Sequence, residues 1–167
     1  YKIDHDLLPL VDKFCKENDL NLVICGASKE ENEKNYYEHV LSHSDFEFVD
    51  RDGLSSYRLV SNSCFVISID STLGYECFAR KIPTAFFPAR FKYIKEDAWK
   101  SPHLKKKIPT ILWSDEISMS TVNKILSNFH KMNTEEFREI WEKHHESLMC
   151  YDENNQKLKK LISSIID

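Results

Sequence analysis

The run Cys64-Phe65-Val66-Ile67-Ser68-Ile69 is the clearest strand signal in the chain, and Asp70-Ser71-Thr72-Leu73-Gly74-Tyr75-Glu76 follows it directly. A short apolar run rich in β-branched residues predicts a strand buried on both faces. Asp, Ser and Thr are the residue types that open helices, because their side-chain oxygens accept hydrogen bonds from the first free backbone N–H groups. The segment therefore reads as strand, tight turn, then a helix to about Arg80.

The same alternation extends outward on both sides. Leu7, Leu8, Val11, Phe14 and Cys15 recur at helical spacing and predict a helix over 4–18. Leu22 to Cys25 reads as a strand ending at Gly26. Ser28 followed by Glu31 has capping-box spacing and predicts a helix over 29–42. Phe46, Phe48 and Val49 suggest a second strand, and 56–60 a short helix. Pro83 to Phe87 reads as a fourth strand, with Pro tolerated at its first position. Thr110 to Trp113 reads as a fifth.

Residues 115–167 carry three amphipathic faces. They are Val122/Ile125/Leu126/Phe129, Phe137/Ile140/Trp141/Leu148 and Leu158/Leu161/Ile162/Ile165. Strands alternating with helices predict an α/β domain over 1–167, with a Rossmann-like parallel sheet covered by helices on both faces and a helical C-terminal tail.

The composition narrows the functional classes. The 167 residues carry 23 Lys and Arg against 27 Asp and Glu, for a net charge of −4. A mildly acidic chain is a poor general binder of nucleic acid, and no nucleic-acid partner is expected. The hydrophobic and charged fractions, 41% and 30%, fit a globular rather than a disordered chain. Five cysteines with no C-x-x-C pair argue against a disulfide framework or a zinc site, and fit a reducing compartment. Cys25 and Cys64 are expected as small apolar packing residues. His39 and His43 lack the Glu of H-E-x-x-H, and the adjacent His144 and His145 cannot face one point on a helix. No metal site is expected. The stretch 88–109 holds seven basic residues (Arg90, Lys92, Lys95, Lys100, Lys105, Lys106, Lys107) against Glu96 and Asp97. It reads as a basic loop able to cover or steer an anion, or as a solvated surface.

The chain has only three glycines, Gly26, Gly53 and Gly74. Gly26 and Gly74 fall where ligands bind in open α/β sheets, beyond the carboxyl ends of strands. Either could admit a ligand or simply allow close packing. There is no G-x-G-x-x-G and no G-x-x-x-x-G-K-[ST], which disfavours dinucleotide oxidoreductases and P-loop NTPases. Ser71 and Thr72 at a helix N-terminus suit a phosphate, and Glu76, one turn on, suits a ribose diol. The candidate binding set is Gly26, Ser28, Asp70, Ser71, Thr72, Gly74, Glu76 and Arg90, with no catalytic residue assigned.

The string Ile67-x-Ile69-Asp70-Ser71-Thr72-Leu73-Gly74-Tyr75-Glu76-x-x-Ala79-Arg80, followed by Thr84-Ala85-Phe86-Phe87-x-x-Arg90, resembles bacterial surface-carbohydrate (lipopolysaccharide or capsule) biosynthesis proteins. Gly26-x-Ser28, Glu33 to Tyr37, Phe46-Glu47-Phe48 and Ser56-Tyr57 extend the likeness over roughly 20–92. The resemblance implies the donor-binding C-terminal half of a GT-B-like glycosyltransferase. Its partners would be a nucleotide-sugar donor, a saccharide or lipid-linked acceptor, and a preceding N-terminal domain. It further implies no cofactor or metal, and a cytoplasmic location, free or peripheral to the inner membrane. The chain opens on Tyr1, which fits a piece of a longer protein. Asp70, Ser71 and Glu76 also match in position the phosphate- and ribose-holding residues of the similar non-hydrolysing sugar-nucleotide epimerases. Thr72 and Leu73 stand at the glycines of that pattern. Composition and periodicity fit a binding module without chemistry equally well.

Overall fold

The computed structural model describes residues 2–27, 32–42, 44–50, 55–89, 109–149 and 151–166. Helix α1 (Lys2–Glu17) leads to strand β1 (Val23–Cys25), α2 (Glu33–Val40), β2 (Glu47–Val49), α3 (Ser55–Ser61) and β3 (Val66–Ser68). Then come α4 (Thr72–Ala79), β4 (Thr84–Phe86), α5 (Met119–Lys131), α6 (Thr134–Leu148), a 3₁₀ turn (Glu153–Asn155) and α7 (Gln156–Ile166).

The strands pair in parallel, as their alternation with helices requires, but they form two small sheets. β1 pairs with β2 in the register Val23–Glu47, Ile24–Phe48, Cys25–Val49. β3 pairs with β4 in the register Val66–Thr84, Ile67–Ala85, Ser68–Phe86. One continuous Rossmann-like sheet would need a ladder joining the pairs, and none forms among the described residues. The fifth strand expected at Thr110–Trp113 shrinks to a single parallel bridge between Phe86 and Trp113. There the Phe86 N–H donates to Leu112 O at 2.9 Å and the Ser114 N–H to Phe86 O at 3.0 Å.

Burial follows from this pairing. β4, flanked by β3 on one side and the Trp113 bridge on the other, is buried at all three positions. β3 has no second strand beside it among the described residues. Val66, Ile67 and Ile69 are accordingly half-buried rather than enclosed on both faces. Cys64 lies before the strand and is exposed, not packed as its apolar neighbours suggested.

The core gathers around β4. Leu7, Val11 and Phe14 of α1 meet Val122, Ile125, Leu126 and Phe129 of α5. Phe78 of α4, Ala85 and Phe86 of β4, Phe87, Leu112 and Phe137 of α6 complete the cluster. These are the residues whose 3.6-residue spacing marks the inward helix faces. α5 opens at Ser118, whose Oγ accepts from the Thr121 N–H. α6 opens with a full capping box between Asn133 and Glu136. The Trp141 indole N–H donates to Phe78 O at 2.7 Å and ties α6 to the end of α4.

α1 is also held to its neighbours by two buried carboxylates. Asp12 accepts from Lys16 Nζ at 2.9 Å and Ser44 Oγ at 2.8 Å, and Asp4 accepts from the Tyr36 hydroxyl at 3.2 Å. α2 begins at Glu33, so the expected Ser28–Glu31 capping box lies outside the described residues, and Asn32 at the N-cap makes no side-chain cap bond. No described helix is long and apolar enough to cross a membrane.

Candidate functional site

Two strand-to-helix junctions carry the described candidate residues, each at the carboxyl end of a parallel pair. At the first, the Gly26 N–H donates to Val49 O at 2.9 Å. The Ala27 N–H is met by the Glu33 carboxylate, with Oε1 at 2.9 Å and Oε2 at 3.1 Å. A side chain of this molecule thus places negative charge against the loop amide next to Gly26, where the sequence predicts a ligand contact. A Cβ on Gly26 would sit 3.1 Å from Phe48 Cζ and 3.2 Å from Glu33 Oε2, so the residue is small because its neighbours crowd it. Ser28, the other expected contact on this loop, lies outside the described residues.

At the second junction, Ser71 is the N-cap of α4 in extended conformation, and its Oγ accepts from the Leu73 N–H at 3.2 Å. The Gly74 N–H donates to Ser71 O at 3.1 Å. Ser71 and Thr72 are exposed, while Asp70 is half-buried in the turn. Gly74 is buried, and a Cβ there would lie 2.3 Å from both Cβ and Oγ of Ser68. That is far inside contact distance, and Ser68 Cβ is fixed to the backbone of β3. Gly74 is therefore required for α4 to lie against the strand, the close-packing alternative left open by the sequence.

Glu76 points away from that packing face. Leu73, Glu76 and Cys77 on one side of α4 and Arg80 at its end, with Tyr57 and Val60 of α3, line a shallow crevice of about 10 Å³ that is partly open to solvent. The Tyr57 hydroxyl donates to Glu76 Oε2 at 2.6 Å. This hydrogen bond, and then the Glu76 charge, raise the Tyr57 pKa above its usual 10.0. The Arg80 guanidinium lies 5.3 Å from the Tyr57 ring centroid and 5.1 Å from that of Tyr151, within cation–π range. Burial, and then the Glu76 charge, push the Cys77 thiol up to about 11, so it is held neutral.

The junction thus brings Asp70, Ser71, Thr72, Gly74 and Glu76 onto one turn and the first stretch of one helix. Gly26 belongs to the other strand pair, and Arg90 lies outside the described residues. Tyr57 and Arg80 enter the sequence pattern only as parts of the surface-carbohydrate string, and no periodicity or spacing marks their meeting at the crevice beside Glu76. Nor does either mark the role of Glu33, since a bond spanning a loop leaves no periodic trace. Among the described residues no group of three or more His, Cys, Asp or Glu converges on a metal-sized site.

A family model described as "putative O-antigen biosynthesis protein" matches residues 1–166. The chain belongs to this family. The match spans both described strand pairs and all seven described helices, and supports a place in surface-carbohydrate biosynthesis. No curated protein and no solved structure matches the chain.

Proposed function

We propose that the chain is the nucleotide-sugar-binding part of a GT-B-like glycosyltransferase acting in O-antigen or related surface-polysaccharide synthesis. The observation that carries this reading is the exposed Ser71–Thr72 turn at the carboxyl end of a parallel pair, heading a helix whose next turn bears Glu76 at the edge of a shallow crevice. Family membership supplies the biosynthetic setting. In this reading the two strand pairs are the described parts of a Rossmann-like half, and the acceptor and general base belong mainly to a preceding domain.

The chemistry assigned to each residue is modest. The exposed Ser71 and Thr72 hydroxyls and the positive end of the α4 dipole face the phosphates and stabilise the leaving group as the glycosidic bond breaks; the Leu73 and Gly74 N–H groups are already bonded within the turn. Tyr57 holds Glu76 Oε2, leaving Oε1 as the acceptor for a ribose hydroxyl. Gly74 acts through the fold, by fixing the height of the turn over β3. The Gly26–Ala27 loop has no phosphate role in this reading, since Glu33 fills the position.

A thermal-shift screen against UDP-, GDP-, CMP- and dTDP-linked sugars tests the proposal. A ligand that binds the native state raises stability by RT ln(1 + [L]/Kd), so a donor registers as a rise in Tm. Glu76→Gln should weaken binding of the positive donor about tenfold without unfolding the protein. Ser71→Ala should weaken it as well, and should cost about 1 kcal/mol of stability through the lost cap. If no donor raises Tm, or if Glu76→Gln binds as the parent does while Ser71→Ala only lowers Tm, the turn is structural.

A further inference from the structure

Helix α7 differs from every other described helix in having no buried residue on its apolar side. Leu158, Leu161, Ile162 and Ile165 are 52%, 58%, 47% and 75% exposed. At about 100° per residue these four side chains occupy an arc of roughly 100°. Lys157 and Lys159 stand on the two borders of that arc. Lys160, Ser163 and Ser164 fill the opposite side. The helix carries three lysines and no acid in a chain whose net charge is −4.

Its attachment suits an element that projects outward. Asn154 and Asn155 both adopt left-handed backbone, with φ of 61° and 54°, a conformation Asn accepts more readily than most residues. The Asp152 carboxylate then accepts from the Lys157 N–H at 2.8 Å, closing the first turn of the helix.

We propose that α7 is an interfacial helix that lies on an anionic lipid bilayer. An apolar stripe inserts among acyl chains while bordering lysines extend to the headgroups, which is how amphipathic helices bind a membrane surface without spanning it. Charge favours this occupant over two others. A second copy packed stripe to stripe in parallel would set the bordering Lys157 and Lys159 beside the same lysines. The basic 88–109 stretch of this chain has the same sign as α7 and would be repelled by it. An anionic surface attracts both. The proposal is independent of nucleotide-sugar binding at α4.

The test is co-sedimentation of the full chain with two sets of vesicles, phosphatidylcholine alone and phosphatidylcholine mixed with phosphatidylglycerol. The chain should pellet with the mixed vesicles, pellet weakly with phosphatidylcholine alone, and be released by salt. Leu161→Ser with Ile162→Ser should lower partitioning at least about tenfold. Each of Lys157→Gln and Lys159→Gln, the bordering lysines, should lower it about fivefold on anionic vesicles only. Because these side chains are exposed, all variants should keep the parent's Tm and circular dichroism. Failure of the parent to pellet with anionic vesicles overturns the proposal, as does pelleting that the Leu161/Ile162 variant leaves unchanged. A parent dimer that the same variant dissociates would assign the stripe to a second copy instead.

Discussion

The two strand-to-helix junctions solve the same local problem in opposite ways. Each follows the carboxyl end of a parallel strand, and each must satisfy backbone N–H groups at a helix start. At the β1 end, the Glu33 carboxylate reaches back from α2 to the Ala27 N–H, and the helix has no side-chain cap of its own. At the β3 end, Ser71 caps α4 directly, and no carboxylate is turned onto the amide that it caps. The first junction is closed by its own negative charge. The second leaves exposed hydroxyls at a helix N-terminus. Two similar glycines at similar positions therefore do not mark two similar sites.

The largest expected effect falls on the second junction. Gly74→Ala places a Cβ 2.3 Å from Ser68 Cβ, which the backbone of β3 holds in place. Overpacking of this kind costs about 1–3 kcal/mol or somewhat more, and alanine's better helix propensity returns about 1 kcal/mol. A net loss of about 2 kcal/mol is expected in urea denaturation. Ser68→Gly should cost clearly less in the Gly74→Ala background than alone, because the two share one contact. Additive losses, or a neutral Gly74→Ala, would mean that α4 does not rest on β3 as described.

Much of this architecture was legible in the sequence, for reasons that differ by element. Helices show themselves through spacing. Val122, Ile125, Leu126 and Phe129 mark the buried side of α5, and all four are buried. The turn Asp70-Ser71-Thr72 announces α4 because capping is local chemistry, and Ser71 is indeed the cap. Lateral strand pairing is another matter. Strands of three residues carry no register signal, so nothing in Val23–Cys25 or Val66–Ser68 reveals that the pairs remain separate sheets. The Tyr57–Glu76 bond joins residues 19 positions apart and also escapes any periodic reading. Periodicity gave α7 its apolar face but not its exposure, since a pattern shows which side is apolar and not what covers it.

The comparison is sharpened by opening the closed junction. Glu33→Ala removes a charged acceptor lying 2.9 and 3.1 Å from the Ala27 nitrogen. Hydrogen bonds to charged groups contribute about 1.5–3 kcal/mol, and solvent access at this loop lowers the expected loss to about 1 kcal/mol. Glu33→Gln keeps one oxygen acceptor and should fall between the parent and Glu33→Ala. Chemical denaturation of the three proteins checks the order. If Glu33→Ala is as stable as the parent, the carboxylate does not close the loop, and the contrast between the junctions fails.

The smallest effect concerns the bond that orients Glu76. Tyr57→Phe deletes the donor at 2.6 Å and should cost up to about 1 kcal/mol at neutral pH, since both side chains are partly open to solvent. Its pH dependence distinguishes a hydrogen bond from lost packing. The native Tyr57 pKa is raised above 10.0, chiefly because the bond to Glu76 requires the protonated phenol. A raised native pKa means that the unfolded state gives up its proton first as pH increases. The contribution is therefore complete below pH 10 and is lost as pH climbs through the higher native value. Parent and Tyr57→Phe should differ by a constant amount from pH 6 to 9 and converge above about pH 10. A gap that persists at high pH would assign the loss to packing of the ring beneath Arg80, and Glu76 would then owe its orientation to something other than the phenol.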